Sequence, residues 1–150
     1  MKLMTTRFGT VEVLDKEIVF FSFGILGFPA MRRYVLLDHD GHTPLKWLQS
    51  VEKPELAFPI VQATDIVEDY QITVPPDELA ALGMEAITQL QAYVILTIPQ
   101  GAPERTTANL KAPILMNPMT HLARQVLVTE EYPIRYALSE TQPVTTECAR

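Results

Sequence analysis

Three histidines, a single cysteine and eighteen acidic residues are the groups in this 150-residue chain that could carry chemistry. His39 and His42 lie close to Asp38 and Asp40, and imidazole with carboxylate is a zinc donor set. A structural zinc needs four fixed ligands and a catalytic one three, so two histidines on one turn read as solvated turn residues. Asp38-His39-Asp40-Gly41 opens like a calcium loop, but its glycine comes too early and the closing glutamate is missing. His121 falls in a segment expected to turn between two strands and reads as exposed. Cys148, the only cysteine, can form no intramolecular disulfide, which suits a reducing compartment.

The carboxylates that could work in pairs are Asp65, Glu68, Asp69, Glu130 and Glu131. A general acid needs burial or a close like charge to raise its pKa, and neighbouring acids in polar connections are more often a solvated face. Their functional alternative is a docking surface for a basic protein, and these five are the candidate protein-binding residues. There is no G-x-G-x-x-G, no G-x-x-x-x-G-K-[ST], no H-E-x-x-H and no G-x-S-x-G. We therefore expect no enzyme, no catalytic residue, no cofactor and no metal.

Charge points the same way. Twelve basic and eighteen acidic residues leave a formal charge of −6, which repels nucleic-acid backbones and anionic lipid at long range. The longest nearly apolar run, from Ile18 to Phe28, is too short to span a bilayer, and the N-terminus leads into no signal-like region. A cytoplasmic monomer without direct nucleic-acid or membrane contact is the expectation.

The elements that must position these groups are mostly strands. Arg7 to Phe23 reads as a hairpin or two successive strands, with Val11 and Val13 on one face. Phe23 to Pro29, with two glycines and a proline around large apolar groups, reads as a packed irregular loop. Tyr34 to Leu37 reads as a strand, followed by a tight turn at Asp40-Gly41. Leu45 to Ser50 reads as a strand or one helical turn, with Trp47 in the core. Further strands are expected at Leu56–Val61, Tyr70–Val74, Ala92–Ile98, Ile114–Met116, Gln125–Thr129 and Ile134–Leu138. Pro75-Pro76 followed by Asp77-Glu78 starts a short helix that Gly83 closes, and Met84 to Gln91 adds a turn or two. The fold expected is mainly β: a single antiparallel barrel-like or sandwich domain over residues 1–140 with one or two short helices, and a disordered tail over 141–150.

Several separated stretches, taken together, resemble the FliW family of flagellar assembly factors. They are Phe23-Gly24-Ile25-Leu26-Gly27-Phe28, Leu48-Gln49-Ser50 with Pro54-Glu55-Leu56-Ala57-Phe58, Thr107-Ala108-Asn109-Leu110-Lys111-Ala112-Pro113-Ile114-Leu115-Met116-Asn117, Gln125-Val126-Leu127 and Tyr132-Pro133-Ile134-Arg135. Leu26 stands where the family's loop usually has proline, which leaves the stiffness of that loop open. Physically these residues read as fold determinants: Asn109 and Asn117 as turn formers, and Leu110, Ile114 and Met116 as core. The resemblance implies a bacterial protein that binds flagellin and, in exchange, the basic RNA-binding repressor CsrA, relieving repression of flagellin messenger RNA. Flagellin's amphipathic terminal helices would need an apolar groove. The rival reading is a small barrel that binds a ligand or flavin.

Overall fold

A computed structural model describes residues 1–39, 43–84 and 90–138. Its strands are β1 (Lys2–Thr5), β2 (Gly9–Glu12), β3 (Val19–Phe21), β4 (Arg33–Asp38), β5 (Lys46–Ser50), β6 (Ala57–Gln62), β7 (Gln91–Thr97), β8 (Thr107–Ala108), β9 (Ile114–Met116), β10 (Leu122–Gln125) and β11 (Tyr136–Ala137). One short helix, α1 (Pro76–Ala81), ends at Gly83, whose φ of 76° only glycine adopts cheaply. The turn expected at Asp40-Gly41, most of the segment after Met84 and the tail beyond Leu138 lie outside the described residues.

Strands β3 to β7 with β9 and β10 close a seven-stranded barrel, so the sandwich alternative falls away. Closure depends on β7, the longest strand. One edge pairs with β6 through Ile60↔Ile95, while the other is shared. Its first half pairs with β9 at Gln91↔Met116 and its second with β8 at Leu96↔Ala108. The barrel is antiparallel except at one seam, where β10 runs parallel to β3 with Ala123 opposite Phe21. The connection spans everything from β4 to β9, long enough for a parallel pair, and no local pattern announces it.

Alternation along the strands sends Phe21, Tyr34, Leu48, Ile60, Tyr93 and Ile114 into the interior. Phe21 and Phe58 both pack against Tyr34, the first edge-on with ring centres 5.2 Å apart. Burial raises the Tyr34 hydroxyl to a pKa of about 12, with Glu52 adding to the shift. The outward positions are also apolar, so the barrel needs covers. The β1–β2 hairpin lays Leu3 and Val13 on Val35 of β4. Helix α1 and the stretch before it place Leu82 and Val74 on Leu115 and Val126. The connections after β6 and β8 cover Val61, Val94 and Leu96. Trp47 is buried as expected, but beneath the covers and not inside the barrel.

Two strand expectations fail. Tyr70–Val74 forms no strand, because its apolar residues lie flat on the barrel's outside and the Gln71 amide donates to a tyrosine hydroxyl instead of a ladder. The strand placed at Gln125–Thr129 comes earlier, at Leu122–Gln125; Val126 and Val128 continue extended, donating to Pro113 and Lys111 carbonyls.

The motif residues act on backbone. Asn109 Oδ1 accepts from the amides of Lys111 and Ala112, and Asn117 Oδ1 accepts from Met119 and Thr120. Buried Gln49 donates to the carbonyls of Pro54 and Leu56, and Ser50 Oγ accepts from Glu52 and Lys53. The irregular loop is held at 2.8 Å by the Leu26 amide, which a proline would lack, donating to Gln125 Oε1. Ile25 enters the barrel core, and Phe28 packs edge-on against Phe58. Gly24 has φ +68°, and a Cβ there would stand 2.6 Å from the carbonyl oxygens of Phe28 and Pro29. At Gly27, φ is +91° with open space around it. Gly27→Ala should therefore cost about 1 kcal/mol in urea unfolding, the backbone penalty alone, and Gly24→Ala about 3 kcal/mol. Equal losses would show that the close carbonyls do not matter.

Candidate functional site: an acidic docking surface

The chain leaves β6 through a 3-10 turn, Ala63–Asp65. Ala63, Ile66, Val67 and Tyr70 then face the barrel, a spacing of i, i+3, i+4 and i+7. Amides of Val67 and Ile66 return to the Ala63 carbonyl, so the segment winds like an interrupted helix. Asp65, Glu68 and Asp69 consequently stand on the outer side, all exposed. The amphipathic spacing of Ala63, Ile66, Val67 and Tyr70 is the sequence signal for this orientation.

Glu130 and Glu131 arrive from the opposite end of the chain. Tyr132 stacks on Tyr70 with ring centres 4.6 Å apart, and its hydroxyl accepts the Gln71 amide at 3.0 Å. The Tyr70 hydroxyl donates to the Leu110 carbonyl at 2.7 Å. Burial pushes the Tyr70 pKa well above its ordinary value, with Tyr132 and Glu130 adding to it. These contacts bring together the two stretches that carry all five sequence-predicted acids.

The five are not equivalent. Glu131 is exposed, whereas Glu130 is half-buried. Its carboxyl is held below the ordinary range, chiefly by the Thr73 side chain and then by the Glu130 backbone, despite some desolvation; the Thr73 backbone and Lys111 also contribute. Lys111 Nζ donates to the Glu130 carbonyl at 2.7 Å. Lys111 thus fastens the loop through its backbone, and Asp65, Glu68, Asp69 and Glu131 are exposed beside it. Beside them lies a groove of about 540 Å³ lined by Thr64, Tyr70, Gln71, Ile72, Ala92 and Leu115, among others.

The other candidate groups do not converge. Among the described residues no three of His, Cys, Asp or Glu gather as a metal site would require. His39 Nδ1 accepts the Trp47 indole N–H at 3.2 Å, and Asp38 pairs with Lys46 at 2.6 Å. His121 sits in the β9–β10 turn as expected, but half-buried and at φ 62°, a left-handed conformation. His42, Asp40 and Cys148 lie outside the described residues. Among the described residues no helix is long and apolar enough to cross a membrane.

The fold and this surface define a closed β-barrel wrapped in a layer of connections, with fixed loops displaying acids on its outside. Known proteins of this kind are close at hand. The pattern of the FliW protein family matches residues 2–138. The flagellar assembly factor FliW of Magnetococcus marinus is 32% identical over 133 residues, covering 89% of this chain and 82% of that protein. That of Thermotoga sp. is 38% identical over 136 residues, covering 90% of this chain and 91% of its own. A crystal structure of the flagellar assembly factor FliW superposes with a TM-score of 0.85 at 34% identity, over 92% of this chain and 96% of that one. The chain belongs to the FliW family of flagellar assembly factors.

Glu130 makes a pH prediction. Its carboxyl has a lower pKa folded than unfolded, so its stabilising effect is complete above the ordinary carboxylate value and fades as pH falls through the lowered one. The wild type should melt above Glu130→Gln at about pH 6, and the gap should close towards about pH 3. A gap constant across that range in thermal melts would show that the carboxylate contributes nothing by ionising.

Proposed function

We propose that this flagellar assembly factor works by occupying proteins: it holds flagellin before polymerisation and, when flagellin leaves, sequesters the basic translational repressor CsrA. The observation that carries this reading is the joining of two distant acidic stretches, by the Tyr70–Tyr132 stack, on one rigid outer surface. Four exposed carboxylates on fixed backbone attract a basic protein at long range and compete with RNA for it. The net charge of −6 adds to that steering. Such a protein acts in the cytoplasm, where both partners are made, and turns over no metabolite.

Pull-down with purified flagellin and CsrA from the same organism tests the reading, and binding of neither would sink it. Charge reversal at Asp65, Glu68, Asp69 and Glu131 together should weaken CsrA binding by about tenfold or more and flatten its salt dependence. Unchanged affinity in titration calorimetry would remove these residues from the interface.

A further inference from the structure

A second groove, of about 870 Å³, opens where β6 and β7 part company. Their ladder begins at Ile60↔Ile95 and does not extend to Pro59, which has no amide hydrogen to donate. Trp47, Phe58, Pro59, Ile98, Pro99 and Pro103 provide much of the lining, and Ile98 is 40% exposed. Arg7, at the tip of the β1–β2 hairpin, is the one charged residue on the wall, and its guanidinium lies 4.1 Å from the centre of the Trp47 ring. No acidic side chain pairs with it among the described residues. A stacked guanidinium keeps its edge N–H groups free, so Arg7 is a preset carboxylate receptor at the rim of an apolar trough.

The wall also restricts what backbone can lie there. An extended peptide adding to a sheet needs N–H donors along the edge, and three of the lining residues are prolines. A helix satisfies its own backbone and asks only for apolar surface. We infer that this groove holds an amphipathic helix of a partner protein, with its apolar face on Ile98, Pro59 and Pro99 and a carboxylate beside Arg7. The inference rests on the proposed function above and assigns the flagellin-binding surface within it. Charge supports the assignment: a partner carboxylate would be repelled by the acidic loops and accepted at Arg7.

Trp47 is the only tryptophan of the chain, so 5-fluorotryptophan incorporated into this protein reports from the groove alone. On titration with monomeric flagellin the Trp47 fluorine resonance should shift, and saturating CsrA should leave it in place. Ile98→Asp should weaken flagellin binding at least about tenfold. Arg7→Glu should weaken it several-fold, and Arg7→Lys should weaken it less but measurably, because a lysine keeps the charge and loses the stacked planar fork. Both positions are exposed, so the variants should melt with the wild type; Ile98→Ser replaces Ile98→Asp if the latter does not. Flagellin binding unchanged in Ile98→Asp and Arg7→Glu overturns the groove assignment while leaving the proposed function intact, as does an equal loss of CsrA binding in those variants. A wild-type protein that binds CsrA but no flagellin overturns the groove assignment, and one that binds neither overturns both.

Discussion

Closure of the barrel through β7 is the constraint on which the rest depends. This strand pairs along one edge with β6 and divides the other between β9 and β8, so it joins the barrel to its outer layer. Its sequence, Gln91-Ala92-Tyr93-Val94-Ile95-Leu96-Thr97, is apolar at nearly every position because both faces are covered: Tyr93 and Ile95 serve the interior, and Val94 and Leu96 the exterior. A barrel with a wet outside would show polar alternation there. The connections are therefore not free loops but required covers, and residues displayed on them inherit the barrel's rigidity. That is how exposed acids in irregular backbone acquire a fixed geometry.

The polar family residues make sense on the same terms. Gln49, Ser50, Asn109, Asn117 and Gln125 all bind backbone amides or carbonyls where the chain turns sharply between barrel and cover. Asn117 reaches across to the Leu82 carbonyl at 2.6 Å and so ties α1 to the β9–β10 turn. A buried polar group costs on the order of 1–3 kcal/mol unless paired, so such residues are kept only where the pairing sets a structure. Sequence motifs of this kind report architecture; the surfaces that meet partners are built from less distinctive residues.

That division explains what was legible in the residues. The strands with strong runs, such as Tyr34–Leu37, Leu56–Val61 and Ala92–Ile98, were readable to within a residue or two, and so were the turn roles of Asn109 and Asn117. Tyr70–Val74 misled because an apolar segment lying on a barrel has the same composition as a strand within it, and only tertiary packing separates them. The parallel β3–β10 seam and the meeting of Glu130 with the Asp65 segment are non-local, and nothing in either stretch encodes its partner. Charge alone marks the acidic candidates in the sequence. The spacing of Ala63, Ile66, Val67 and Tyr70 adds their orientation, and the proximity of Lys111 to the Glu130 backbone is not readable in either stretch.

The two surfaces proposed for partners sit at opposite ends of one strand. The groove borders the start of β6, at Ala57, Phe58 and Pro59, and the acidic segment follows its end at Gln62. Six residues of strand span roughly 20 Å, more than two Debye lengths at physiological salt, so charges at one end are screened from the other. Direct electrostatic competition between two partners bound there is weak. Exchange of one for the other would then have to run through bulk, where one bound protein overhangs the other's site, or through the strand itself. A closed barrel with both faces packed resists the second course, since shifting β6 would disturb the interior and the cover together. Steric overlap is therefore the course that the proposed exchange would take.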